Sequence, residues 1–426
     1  MISLVEVKNF RCLRYIRQPL LPFQVLIGPN ASGKTTFCEA ISLLSKIVAN
    51  EKIDPLVREM SDVFDDLTWD RQGGRIEIAV EALIPDEVRR KLYSDEVPVG
   101  ALDTIRYEIG FEENQTTSSV EIVEERVFLK LCTKAPKVSE RLFPQEANPP
   151  DTILEPKFRA NRSRILSKVR NGNDNYYSEL GRIQRGEGGY NPSIRLGPSR
   201  SAFANLQPAE DVFPVSTWFR DMLVNGVQSL SLNSHKLRKP SPPSKDVGFS
   251  LDGSNLPRVI ARLKKNNPKR FKDWISHLQT ALPDLADVKY VERQEDKFMY
   301  LKACYKGGLE VPSWLVSEGT LRMMALTIIA YTSDLHGIYL IEEPENGIHP
   351  SAMETVFQSL SSVYNSQILI ATHSPVILSI ASPTQVLCFK KTLSGATDIV
   401  RGDHHPNLRD WRGDPNLSVL YASGVL

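Results

Sequence analysis

The sequence predicts an α/β protein with a mixed sheet, an antiparallel β-subdomain and a helical, loop-rich insertion. Three observations predict it. An apolar strand, a glycine-bounded loop and an amphipathic helix follow one another in "FQVLIGPNASGKTTFCEAISLL" (Phe23–Leu44). Alternating apolar and polar residues between Arg75 and Lys130 describe several half-buried strands. From Val316 onward helical periodicity and short apolar runs take turns, the pattern of a largely parallel sheet covered on both faces.

Taken in order, "ISLVEVKNFRCL" alternates as a strand and "FQVLIG" follows as a short buried one. "RIEIAVEALI", "TIRYEIGFEE" and "SSVEIVEERVFLK" continue the alternation and suggest an antiparallel sheet beside the loop–helix unit. Between about Pro136 and Pro257 the chain turns polar and rich in Pro, Gly, Asn and Arg, which reads as an insertion of long loops and short helices. "NLPRVIARLKKNNPKRFKDWISHLQTAL" reads as two helices joined at Asn-Asn-Pro, with strands near "DVKYVERQ" and "FMYLKACYK". Helix and strand then alternate through "TLRMMALTIIAYTSDL", "GIYLIEE", "SAMETVFQSLSSVY", "SQILIATHS" and "QVLCFKK".

"GPNASGKT" (Gly28–Thr35) fits G-x-x-x-x-G-K-[ST] with a strand before it and a helix after it. Small residues let successive backbone N–H groups curl around phosphate oxygens, and the helix starting near Lys34 turns its positive end toward them. Asn30, Gly33, Lys34, Thr35 and Thr36 are therefore the candidate nucleotide-binding residues. Lys34 would reach the β- and γ-phosphates, and the Thr35 hydroxyl would complete a Mg²⁺ shell. The bland alternative, a glycine-rich turn with a surface lysine, explains neither flank.

"IYLIEE" (Ile338–Glu343) is an apolar strand ending in two acids. A first acid at such a strand end suits the metal sphere, so Glu342 is the metal candidate beside Thr35. The second can polarise an attacking water, which makes Glu343 the candidate general base. A solvated acidic turn is the alternative. "ILIATHSPVIL" (Ile368–Leu378) presents His373 at the end of another apolar strand, where an imidazole can bond the γ-phosphate or the water. In "VSEGTLRMMAL" (Val316–Leu326) Ser317 suits a helix N-cap. A sharper reading makes Ser317 and the Gly319 amide a second anion site. One monomer has no need of two phosphate sites, whereas a dimer enclosing nucleotide has.

Fifty-two Lys+Arg against 51 Asp+Glu leave a formal charge of +1, so no bulk electrostatic footprint for nucleic acid exists. The densest basic stretches are "SRSAFANL" with Arg195 and Arg200, and Arg262–Trp274; a solvated helix face is their plainer reading. Five scattered cysteines without Cys-x-x-Cys spacing argue for reduced thiols and a cytoplasmic protein. The N-terminus alternates like a strand rather than a secretory leader, and no apolar run is long enough for a membrane span. "DHHPNLRDWRGDPN" (Asp403–Asn416), with His404 and His405, lacks helical metal-ligand spacing and is read as loop.

These motifs, in this order, resemble the ABC-type ATPase heads of the SMC, RecF and OLD-like families, across roughly the first 130 and the last 170 residues. "GPNASGKTT" looks like Walker A and "SEGTLRMMAL" like the degenerate signature motif. "YLIEEPENGIHP" resembles Walker B followed by the D-loop, with Asn346 and His349 in its turn, and "ATHSP" looks like the H-loop. The opening "ISLVEVKNFRCL" is similar to the first strand of those heads. Glu342 stands where the family usually has Asp. Gln72 is the candidate for the Q-loop glutamine, in a weak context.

The resemblance implies a P-loop ATPase head divided as 1–130 (Walker A and antiparallel sheet), 131–310 (insertion and helical lobe) and 311–426 (signature, Walker B, D-loop and H-loop). It implies ATP and Mg²⁺ as cofactors and a homodimer, or higher even oligomer, with Ser317 and Gly319 of one copy facing the γ-phosphate on the other. The chain most resembles compact prokaryotic stand-alone ATPases that serve anti-phage defence with a separate effector. Without long heptads it departs from SMC chromosome organisers. Too few residues follow His373 for the TOPRIM nuclease domain of OLD proteins, so a nuclease or toxin encoded nearby is the expected partner. DNA is a candidate ligand. A RecF-like repair ATPase and a non-hydrolysing nucleotide-dependent scaffold are the rival functions.

Overall fold

Alternation builds the first strand, Ile2–Phe10, in which Val5, Val7 and Phe10 are wholly buried. Thirteen residues after Phe10 begin five consecutive buried side chains, Phe23–Ile27, a strand covered on both faces. In the computed structural model the described residues are all but 51, 94–97, 99, 133–141, 156–161, 181–191, 208, 210, 244–247, 333–336, 365, 410–415 and 423–426. The chain divides into two units. The first comprises Met1–Leu21, Gly28–Val227 and Leu387–Arg409, the second Pro22–Ile27, Gln228–Val386 and Asp410–Leu426.

In the first unit an antiparallel sheet runs, in spatial order, through Leu13–Pro19, Ile2–Phe10, Ile76–Leu83, Thr104–Glu113, Val120–Lys130 and Arg162–Val169, and then two short strands, Asp174–Tyr176 and Ser193–Ile194. The last three come from the stretch whose composition reads as loops. "RSRILSKV" hides its strand because Ser163, Ser167 and Lys168 are buried polar residues, so apolar alternation is missing. Lys168 is tolerated there because Asp174 holds its ammonium at 2.8 Å. A thirteen-residue helix, Pro214–Gly226, opens with proline in its first turn. The strand Val386–Lys391, expected among parallel strands, pairs antiparallel with Thr397–Arg401 through a turn at Gly395, where φ is 88°.

The same sheet buries an ionic cluster. Arg106, 1% exposed, donates to Glu108 (2.6 Å), Glu6 (2.8 Å), Glu81 (3.0 Å) and the Ile153 carbonyl (3.2 Å), while Lys130 bonds Glu81 at 2.6 Å. Burial alone would lower the guanidinium's pKa, but Glu108, Glu6 and Glu81 outweigh it and raise it. Arg106→Met is expected to cost about 3–5 kcal/mol in urea unfolding at pH 7, because buried carboxylates lose their counter-charge. Burial already raises the Glu108 carboxyl. Its protonation as pH falls should therefore shrink the deficit at pH 5; an equal deficit at both values would contradict this assignment.

In the second unit the strands Gly337–Glu342, Ser366–Ala371 and Phe23–Ile27 lie parallel, with Glu342 level with Ala371 and Ala371 level with Leu26. Helix Met353–Ser361 connects the first two, and its Phe357 meets Phe23 edge-on at 5.2 Å. Two helices, Leu256–Asn266 and Pro268–Ala281, meet at Asn267, which caps the second by accepting from Arg270 N at 3.1 Å. Trp274 of that helix is fully buried and donates to Thr327 Oγ1 at 3.0 Å. A three-stranded antiparallel sheet, Leu285–Glu292, Met299–Tyr305 and Glu310–Pro312, follows. Among the described residues no helix is long and apolar enough to cross a membrane.

Candidate nucleotide site

The glycine loop belongs to the first unit and leads into helix Lys34–Ala49. That helix has no side-chain N-cap and no acid in its first turn, so nothing of its own offsets the positive end of its dipole. Gly33 has φ 104°, and a Cβ there would come within 2.4 Å of Thr397 Oγ1 and 3.1 Å of Cys12 Sγ. Only glycine lets the chain turn into the helix at that point. Ala31 also takes a left-handed backbone, at φ 60°.

Lys34 is 7% exposed, and its Nζ donates to the carbonyls of Gly28 (2.8 Å) and Pro29 (3.1 Å). The loop thus curls around its own cation. Ser32 Oγ is buried and finds no hydrogen-bond partner among the described residues. A buried cation, an orphaned hydroxyl and an uncapped helix end fit a bound phosphate. Asn30 and Thr35 are exposed and Thr36 is half-buried, so their side chains border the loop rather than fill the core.

In the second unit the two acids sit at the end of their parallel strand, Glu342 as its last residue and Glu343 just beyond, both exposed. Glu343 has φ 46°, a strained backbone for a residue with a side chain. Its N–H donates to the Ala371 carbonyl at 2.8 Å, while its Oε2 accepts from Asn346 Nδ2 at 2.6 Å. The carboxylate is therefore oriented by the turn that follows it. Glu345, within that turn, accepts from Thr372 Oγ1 (2.7 Å) and from the His373 N–H (3.0 Å). His373 Nδ1 lies 3.1 Å from the Tyr421 hydroxyl, whose pKa is raised by burial and then by the charge of Glu345. Thr372 N donates to the Leu26 carbonyl at 3.1 Å, and one residue past Leu26 the strand runs out into Gly28.

Ser317 caps helix Glu318–Thr327 by accepting from Thr320 N at 3.3 Å, and its hydroxyl donates to Thr320 Oγ1 at 2.8 Å. A Cβ on Gly319 would lie 2.4 Å from the Gly347 carbonyl, so its absence lets this helix start lie against the turn after the acids. Parallel register thus gathers Glu342, Glu343, Glu345, Thr372 and His373, and Gly319 packs on the same turn.

Residues 23–379 match the protein family described as "AAA domain, putative AbiEii toxin, Type IV TA system". The chain belongs to this AAA-domain family. A 44-residue stretch is 50% identical to the OLD nuclease of Thermus scotoductus (strain ATCC 700910 / SA-01); it spans 10% of this chain and only 8% of that protein. The fold is similar to the crystal structure of an Smc head bound to the C-winged helix domain of ScpA, with TM-score 0.51 and 14% identity over 94% of this chain and 97% of that one. The expected AAA-family chain with a fold like that of SMC heads is borne out.

Within this AAA-domain protein other candidates fall into place. Of the basic stretch Arg262–Trp274, Lys264 bonds Asp287 (3.3 Å) and stacks over Phe271 (4.5 Å), whereas Lys265, Lys269, Arg270 and Lys272 are exposed. Arg195 is exposed beside the strand Ser193–Ile194, and Arg200 is half-buried. Gln72 is exposed and bonds Asp70 at 3.1 Å. His404 and Asp403 both contact Arg401, and among the described residues no group of three or more His, Cys, Asp or Glu side chains gathers to hold a metal alone. The stretch expected as loop contains a short helical turn, Pro406–Arg409; residues 410–415 lie outside the described ones. Glu345 and Tyr421 escaped the residue-by-residue reading. The first was quoted only within "YLIEEPENGIHP", and nothing local marks the second.

Proposed function

We propose that the chain is a Mg²⁺-dependent ATPase that dimerises around ATP and, in doing so, controls a separate effector in anti-phage defence. The observation that carries this reading is the in-register end of the parallel strands. It presents Glu342, Glu343 and His373 beside the strand that runs into the glycine loop. Asn30, Gly33, Lys34, Thr35 and Thr36 hold the triphosphate. Thr35 and Glu342 would hold the metal. When bound, Mg²⁺ neutralises charge on the β- and γ-phosphates. Glu343, oriented by Asn346, takes the proton of the attacking water. His373, braced by Glu345 and Tyr421, contacts the γ-phosphate.

Ser317 and Gly319 complete the site of a second copy, which makes nucleotide the glue of the dimer. The effector is proposed as a nuclease or toxin, in keeping with the toxin–antitoxin wording of the family and the nuclease named among the relatives. The exposed Lys265, Lys269, Arg270 and Lys272 favour a second reading, a DNA-directed ATPase of the RecF sort. Neighbouring genes separate the two: an effector gene supports the first, replication or repair genes the second.

Sedimentation with a slowly hydrolysed ATP analogue and Mg²⁺ tests the dimer. Wild type is expected to double its mass, and Ser317→Arg to remain monomeric. Loss of the cap should cost the variant only about 1 kcal/mol of stability. Nucleotide-dependent doubling by Ser317→Arg, or none by wild type, refutes the enclosed-nucleotide dimer.

A further inference from the structure

A second cavity in the first unit, of about 400 Å³, is lined by Lys8, Arg14, Trp69, Arg75 and Glu77 among others. It uses none of the residues of the glycine loop. Three cations, a half-exposed indole and a volume suited to a small ligand meet there. The place is built rather than incidental. Asn9 accepts from Trp69 N (3.0 Å) and donates to the carbonyls of Gly73 (3.0 Å) and Arg75 (3.1 Å), so one side chain ties together the backbones that carry the indole and the guanidinium. Holding them requires backbone strain: Asn9 (φ 62°), Arg11 (φ 48°), Asp70 (φ 52°) and Arg71 (φ 55°) are all left-handed. Ala31 and Glu343, at the candidate nucleotide site, share this conformation, as do Ser118, Asn171 and Lys297 in turns between strands. Such a backbone persists where the surrounding structure holds it.

Charge follows the same design. Glu77 is 1% exposed and is already bonded by Thr152 Oγ1 (2.8 Å) and Ile153 N (2.8 Å), so it contributes little to the cavity surface. Arg75 stays loosely paired, 3.6 Å from Glu77 and 3.9 Å from Glu112, with donors left to offer. Lys8 is anchored on the carbonyl of Asp151, an exposed residue that also lines the cavity, so three cations face one buried and one exposed acid. An indole beside guanidinium groups suits a planar base joined to a phosphate, since a base can stack on the ring and a phosphate accepts forked N–H bonds.

We propose that this cavity binds one nucleotide unit, base against Trp69 and phosphate toward Arg14 and Arg75, either as a free nucleoside monophosphate or as part of a single strand. Fluorescence anisotropy of a short fluorescein-labelled oligothymidylate, on the full chain without ATP or Mg²⁺, tests it. Thymidine 5′-monophosphate and inorganic phosphate serve as competitors. Wild type is expected to bind the strand saturably. Trp69→Ala and Arg14→Glu should each weaken binding about tenfold or more, with unchanged circular dichroism, and Trp69→Phe should retain most of it. Displacement by the monophosphate identifies a free nucleotide as the ligand, and its failure beside strand binding identifies the strand. If Trp69→Ala does not fold, Arg14→Glu decides. No saturable binding of either nucleotide probe by wild type, variants that bind like wild type, or equal displacement by inorganic phosphate would each overturn the proposal.

Discussion

Glu343→Gln is expected to bind a slowly hydrolysed ATP analogue as wild type does, while phosphate release falls about 10²–10⁴-fold, the range for removal of a general base. The substitution keeps the shape of the side chain. Asn346 Nδ2, 2.6 Å from Oε2, can still donate to the amide oxygen, so the turn from Pro344 to His349 need not move. What disappears is the ability to accept a proton. The dimer formed on nucleotide should accordingly persist longer in the variant than in wild type. A steady-state phosphate assay with Mg²⁺, read beside sedimentation, separates the two effects. Equal phosphate release by variant and wild type would remove Glu343 from the base role. If wild type itself releases none, the non-hydrolysing scaffold becomes the better description.

Lys34→Ala is expected to weaken ATP binding by about 10²-fold or more, since each charge-assisted bond to a phosphate oxygen is worth about 1.5–3 kcal/mol. The ammonium sits inside its own loop, held by the carbonyls of Gly28 and Pro29, and need only exchange those partners for phosphate oxygens. Truncation leaves the two carbonyls to water, so a small loss of stability should accompany the loss of affinity. Isothermal titration with the analogue measures the first and thermal melting the second. Tight binding by a folded Lys34→Ala chain would mean that the phosphates lie elsewhere.

Some of this site was legible because its signals are local. A run of apolar residues, a fixed spacing of glycines and a lysine at the helix start lie within about a dozen positions, and each sets its own backbone conformation. The strand–loop–helix is found where the pattern puts it. The acid pair and the histidine each end an apolar strand for the same reason. Glu345 was not legible as a bridge, because its partners are Thr372 and His373, and only the parallel register of Gly337–Glu342 with Ser366–Ala371 brings them together. The strand Arg162–Val169 was missed because polar Ser163, Ser167 and Lys168 are buried beside Ile165 and Leu166, the lysine by pairing with Asp174, so apolar alternation is absent.

By itself the sequence determined the glycine loop between strand and helix, the positions of the two strand-end acids and the α/β character, all consequences of short-range stereochemistry and periodicity. Tertiary structure alone decided which carboxylate braces His373, that Arg106 is buried among glutamates, and that Asn9 locks Trp69 to Arg75 beside a second cavity. Those depend on residues far apart in the chain meeting at fixed distances, and no local propensity encodes that meeting.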